Sequence, residues 1–174
     1  MAVPHDEESL RRNLLTLLQK GNFDGCVGFL AFQSEPILDE VFLGLLAQGK
    51  FLAFPRFNHQ SLEYDLVAVS NLTGQLAMGH YGIREPQPEL PAVQKLSENV
   101  CWLVPGLAFS ESGCRLGRGA GYYDRLFLRF PQGKRIGIAW EMQLLPEIPA
   151  EPWDIPMDYI VTESRRIDCH GTFT

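Results

Sequence analysis

Three glycines alternate with other residues between Arg115 and Asp124, and two arginines stand among them. The run is Arg115, Leu116, Gly117, Arg118, Gly119, Ala120, Gly121, Tyr122, Tyr123 and Asp124. Glycine lets a chain turn tightly and brings its backbone amides close to a ligand. Successive amides can form a nest for an anion, and a helix that follows adds the partial positive charge of its N-terminus. Guanidinium groups bring permanent charge and forked donors suited to phosphate oxygens. Asp124 offers hard oxygen of the kind that holds a magnesium ion against phosphates, or it simply complements a helix dipole. Tyr122 and Tyr123 can stack on a flat ring, donate from their hydroxyls, or only pack. The run lacks the G-K-[ST] of a P-loop, and its G-x-G-x-G spacing is not a dinucleotide fingerprint. A plain strand-to-helix turn with two solvated arginines accounts for the same residues, so local chemistry leaves both readings open.

The elements that must position this loop follow from hydrophobic spacing. Leu10, Leu14, Leu17 and Leu18 share one face, which predicts a helix over residues 7–20 that stops at Gly21. Ile37, Leu38, Val41, Phe42, Leu45 and Leu46 predict a second helix over 34–48. Short apolar runs predict buried strands at 26–32, 51–55, 99–105 and 134–140, with a last one within 157–163. Residues 62–69 alternate more and suit a strand with one exposed face. The proline-rich stretch 81–91 reads as a loop, and 121–130 as a helix after the glycine loop. Helix and strand alternate throughout, which predicts one α/β domain over 1–174: a mostly parallel sheet in a three-layer arrangement, flanked by helices.

With these elements in place, the run from Arg115 to Arg125, preceded by VPGLAF, resembles the signature of the 5-formyltetrahydrofolate cyclo-ligase family, also called methenyltetrahydrofolate synthetases. GFLAFQSE, GKFLAFPRF, YGIREP and EPWDIPMDYIVTE resemble further family segments in the family's order. The likeness runs from about Cys26 to Glu163. It implies an ATP-dependent ligase with a magnesium ion, which converts 5-formyltetrahydrofolate to 5,10-methenyltetrahydrofolate with release of ADP and phosphate. By resemblance, residues 115–123 hold ATP. Arg118 and Tyr123 act in catalysis. Leu30, Glu35, Tyr81, Arg118 and Tyr122 contact the folate, and Asp124 and Asp154 bind the metal. Other accounts of single residues stand beside these: Glu35 as a helix-end charge before Pro36, Asp154 as a turn residue, Leu30 as core, Tyr81 as packing, and Arg56 as a surface cation.

The family pattern also includes an N-terminal helix carrying K-x-x-L-R. Here Glu7 stands where the lysine belongs, and the helix over 7–20 matches the second family helix, so the first has no counterpart. That departure keeps a second class in view: a catalytically weak or inactive folate- or nucleotide-binding relative. The composition narrows the partners. A formal charge of −6 over 174 residues argues against a nucleic-acid surface. No apolar run reaches the roughly 18 residues of a membrane helix, and the N-terminus has no signal-peptide pattern. Four cysteines without a C-x-x-C pair suit free thiols. A cytoplasmic monomer with small-molecule partners is the expectation.

Overall fold

The computed structural model describes residues 5–171. Asp6 starts α1 (Glu7–Gly21) by accepting from the Ser9 amide at 2.9 Å, the side-chain cap that an orphan helix N–H requires. Leu10, Leu14, Leu17 and Leu18 are its buried stripe. Asn22 ends it in the left-handed conformation. The chain continues through β1 (Gly25–Val27), α2 (Asp39–Ala47), β2 (Phe51–Asn58), β3 (Glu63–Ala68), β4 (Leu76–Met78) and β5 (Arg84–Pro86). It then forms β6 (Val100–Val104), β7 (Ala108–Phe109), β8 (Arg115–Leu116), α3 (Tyr122–Arg129), β9 (Lys134–Ile138), β10 (Tyr159–Val161) and β11 (Arg166–Asp168).

Seven of the described strands make one sheet in the order β11-β10-β9-β6-β1-β2-β3. The five central strands, β10 to β2, are parallel, and the two edge strands run antiparallel. Alternation along each central strand divides the core. Cys26, Cys101 and Leu103 join α1 and α2 on one face. Val27, Trp102 and Val104 join α3 on the other. Period-two side chains in a strand buried on both sides produce this three-layer α/β architecture. No described helix is long and apolar enough to cross a membrane.

Several boundaries differ from the sequence-based expectation. The strand expected over 26–32 ends at Val27, with one last bond from the Gly28 amide to the Ala53 carbonyl of β2 at 2.9 Å; beyond it Phe29 and Leu30 leave the ladder and fill the core. The second helix starts at Asp39 rather than residue 34. Glu35 spends its side chain on the Phe32 amide, and Pro36 follows. The strand expected over 51–55 extends to Asn58, since β3 pairs with it antiparallel out to Glu63. The proline-rich stretch expected as a loop contains β5, which pairs with β4. Its prolines fit because a two-stranded ladder leaves outward-facing backbone N–H groups unneeded. Arg115 and Leu116 lie in a short hairpin with β7 rather than in a free loop.

Candidate active site

The site arises where the sheet changes direction. β1 and β6 are parallel neighbours. The chain leaves β1 for α2, on the face covered by α1, and leaves β6 for the β7–β8 hairpin and α3 on the opposite face. Divergence of two such connections opens a crevice outside the carboxyl ends of the strands. Glu35 enters it from the β1 side and Arg118 from the β6 side, and their side chains meet at 3.6 Å between Oε1 and Nη2.

A turn over 32–35 holds Glu35. The Phe32 amide donates to Oε2 at 2.9 Å, and the Glu35 amide donates to the Phe32 carbonyl at 3.1 Å. The Arg118 guanidinium lies over the Phe32 ring, 4.8 Å from its centroid. Burial pushes the Glu35 carboxyl above its ordinary value, and the Phe32 amide and Arg118 offset part of that rise. Arg118 remains 49% exposed, so its charge faces the open crevice.

The rest of the loop is built around Arg115. Its Nη1 donates to the Pro105 carbonyl at 3.2 Å, and its guanidinium sits 5.2 Å from the centre of the Tyr123 ring. Burial pulls the Arg115 pKa down, while Tyr123, Asp124 and Asp154 act in the other direction. Burial raises the Tyr123 hydroxyl well above the usual phenol range, with the Glu35 charge adding to it. Tyr123 is therefore a protonated donor, not a base. Gly119 has φ +92 and Gly121 φ +70, backbone that costs an L-residue about 1–2 kcal/mol. Gly121 also starts α3, and a Cβ there would come 3.0 Å from Arg125 Nη1. Gly121→Ala is expected to lower unfolding stability by about 1 kcal/mol, measured as a shift in urea midpoint at constant slope.

Asp124 and Asp154 come together. Asp124 Oδ1 receives the Ile155 amide at a long 3.5 Å, one residue beyond Asp154. Asp154 Oδ2 receives the Glu151 amide at 2.8 Å, closing a turn. Two carboxylates near Arg115 and the loop offer hard oxygen donors of the kind a divalent cation takes. No cluster of three or more metal-ligating side chains occurs among the described residues.

The structure thus brings Arg115, Arg118, Tyr123, Asp124, Asp154 and Glu35 into one crevice. Leu116 is exposed, and the Ala120 carbonyl accepts from Arg125. Tyr122 packs edge-on against Tyr64 at 4.8 Å and Phe57 at 6.1 Å, with the Arg125 guanidinium 4.9 Å from its ring centre. Tyr81 lies farther out, 67% exposed and with φ 57. Burial pushes the Tyr64 hydroxyl up to about 12, with the Glu85 charge adding to it. Leu30 belongs to the core under the crevice. Sequence reasoning missed Phe32 and Tyr64. Phe32 reads as one more apolar residue of a strand, and only its position beneath Arg118 distinguishes it. Tyr64 carried a signal, its place in an alternating strand.

The 5-formyltetrahydrofolate cyclo-ligase family model matches residues 4–163. The chain belongs to that family. Its similarity to the Escherichia coli 5-formyltetrahydrofolate cyclo-ligase is 32% identity, over 79% of this chain and 76% of the relative. A cyclo-ligase from Mycolicibacterium smegmatis is 42% identical over 54% of this chain, a match that spans 49% of the relative. Among solved structures, the Aquifex aeolicus 5,10-methenyltetrahydrofolate synthetase is 32% identical with a TM-score of 0.79, covering 97% of this chain and 83% of that one. The crevice of this cyclo-ligase family member therefore sits in the same mostly parallel α/β frame.

Proposed function

We propose that this family enzyme closes the ring of 5-formyltetrahydrofolate by phosphoryl transfer in the crevice between Glu35 and Arg118. The observation that carries the reading is their 3.6 Å contact. It joins a carboxylate suited to two N–H donors of an aminopyrimidine edge to a guanidinium suited to phosphate oxygens.

The N5-formyl oxygen attacks the γ-phosphorus of ATP, forming a P–O bond as the bond to the β-phosphate oxygen breaks and ADP leaves. N10 then attacks the formyl carbon, gives up its proton, and expels phosphate, leaving 5,10-methenyltetrahydrofolate. Phosphoryl transfer of this kind asks the protein mainly for alignment and charge stabilisation. Arg118 stabilises charge on the transferring oxygens. Arg115 and the glycine-loop amides hold the nucleotide phosphates. Tyr123, kept protonated, donates a hydrogen bond within the crevice. Asp124 and Asp154 would hold magnesium, which neutralises phosphate charge when bound. The free cysteines support a location in the reducing cytosol.

The test is a spectroscopic assay for methenyl-folate with 5-formyltetrahydrofolate, ATP and a divalent cation. Product is expected only when all three are present. An equal rate without ATP would exclude the phosphoryl route. Folate binding with no turnover under any condition would favour a binding protein that has lost the reaction.

A further inference from the structure

β2 runs on past the crevice to Asn58, carrying Arg56 and Phe57 beyond the loop, with His59 next in the chain. The β4–β5 hairpin faces them, its connecting turn contributing His80 and Tyr81. An ion pair between Arg84 and Asp39, 2.9 Å, ties that hairpin to α2. Between the two walls lies a groove of about 720 Å³. Phe57 stacks on His80 with ring centroids 4.1 Å apart, and His59 stands edge-on to His80 at 5.6 Å. Phe57 also meets Tyr122, at the start of α3, edge-on at 6.1 Å.

Its charges are unevenly engaged. The Asp65 carboxylate is held by Arg129 at 3.2 Å and by Asn58 at 2.9 Å. The buried Glu85 carboxylate, which also lines the groove, accepts from the Phe57 amide at 3.3 Å and lies near His80 and His59; burial raises its pKa, and those neighbours offset part of the rise. Arg56, by contrast, uses a single nitrogen, Nη1, to reach the neutral carbonyls of Gln87 at 2.8 Å and Leu90 at 2.7 Å. It forms no ion pair with any carboxylate among the described residues, and its Nε and Nη2 make no described hydrogen bond. A chain of formal charge −6 thus keeps an uncompensated guanidinium in this groove, with two imidazoles beside it.

We propose that this groove binds the carboxylates of the folate's glutamyl tail, with Arg56 as the charged anchor and His59 and His80 as further donors. The inference rests on the folate reading above. A folate whose pterin edge meets Glu35 has its p-aminobenzoyl-glutamate arm left to place. The ring wall formed by Tyr122, Phe57 and His80 leads from the crevice to Arg56. The Nε–Nη2 edge of a guanidinium matches a carboxylate in bidentate fashion.

Turnover of three substrates tests it: 5-formyltetrahydrofolate with one glutamate, the same folate with three, and 5-formyltetrahydropteroate, which has none. The readout is the ratio of kcat/KM for each glutamylated substrate to kcat/KM for the pteroate. Arg56→Met is expected to shrink that ratio by about tenfold, the order of one lost charged hydrogen bond, and Arg56→Lys to restore part of it. His59→Ala, at an exposed position, is expected to shrink it by a smaller factor and keeps the test available if Arg56→Met unfolds. A ratio unchanged in both variants overturns the proposal, as does an equal loss for all three substrates. Wild-type protein that turns over none of the three would remove the folate reading itself, a result distinct from either.

Discussion

Arg118→Ala is expected to lower kcat by about 10²- to 10³-fold, the cost of removing one donor aimed at developing charge. Its unfolding midpoint should move little. The side chain is 49% exposed, and its pairing with Glu35 is a long 3.6 Å. Partly exposed pairs of this kind contribute roughly 0–1 kcal/mol. The contact with Phe32 at 4.8 Å adds about 0.5–1 kcal/mol at an exposed site. On the proposed phosphoryl route catalysis stands to lose more than folding, because the transferring group would meet Arg118 in a crevice that a bound substrate would shield from water. Single-turnover formation of methenyl-folate at saturating ATP and folate separates the chemical step from binding, and urea unfolding of the same preparation reads stability. Arg118→Lys keeps the charge without the planar fork and should fall between the two. A folded Arg118→Ala variant with unchanged turnover would reduce Arg118 to a surface cation.

The contact on which this prediction turns was only half legible in the sequence. Gly117, Gly119 and Gly121 with Arg115 and Arg118 mark a tight, cationic turn by their own chemistry, and the resemblance to the family is what turns that mark toward anion binding. The central strands announce themselves as well, because Val100 to Val104 is apolar at every position and a parallel strand buried on both faces needs that. Nothing local, however, says that Glu35 meets Arg118 across 83 positions of chain. That meeting depends on β1 lying beside β6, a pairing set by how the whole sheet closes. Local signals misled where two causes give one pattern. Phe29 and Leu30 prolong an apolar run because they fill the core under the crevice, not because β1 continues. The prolines of 81–91 mark a loop by composition, yet Pro86 sits in β5 opposite Leu76. The groove around Arg56 was hidden for a related reason. An arginine at the end of a strand reads as a solvated cation, and only the structure shows that its bonds go to neutral carbonyls.

Glu35→Gln is expected to lower kcat/KM for the folate by about tenfold to a hundredfold while leaving the protein as stable as the wild type at pH 7, or more so. The loss follows from hydrogen-bond inventory. A carboxylate accepts two N–H donors of an aminopyrimidine edge, whereas a glutamine presents one acceptor and one donor, so one bond is lost and a donor faces a donor. Bonds to a charged group contribute about 1.5–3 kcal/mol, which gives the stated range. The stability side follows from the raised pKa. Burial makes the folded protein hold a proton on Glu35 more tightly than the unfolded chain does. The stability contributed by that proton is fully present below the ordinary carboxylate value and is lost as pH rises through the folded value. At pH 7 the wild type therefore bears the cost of a desolvated carboxylate, and glutamine does not. The Phe32 amide that now donates to Oε2 at 2.9 Å can donate equally to the glutamine carbonyl oxygen. Urea unfolding at pH 7 and again near pH 4 checks the sign: the variant's advantage should shrink or vanish at the lower pH. Folate titrations at saturating ATP check the activity. Freed from its carboxylate partner, Arg118 keeps its place over Phe32, so KM for ATP should change less than KM for folate. A variant that loses affinity for both substrates alike would mean that Glu35 serves to hold Arg118 rather than to meet the folate.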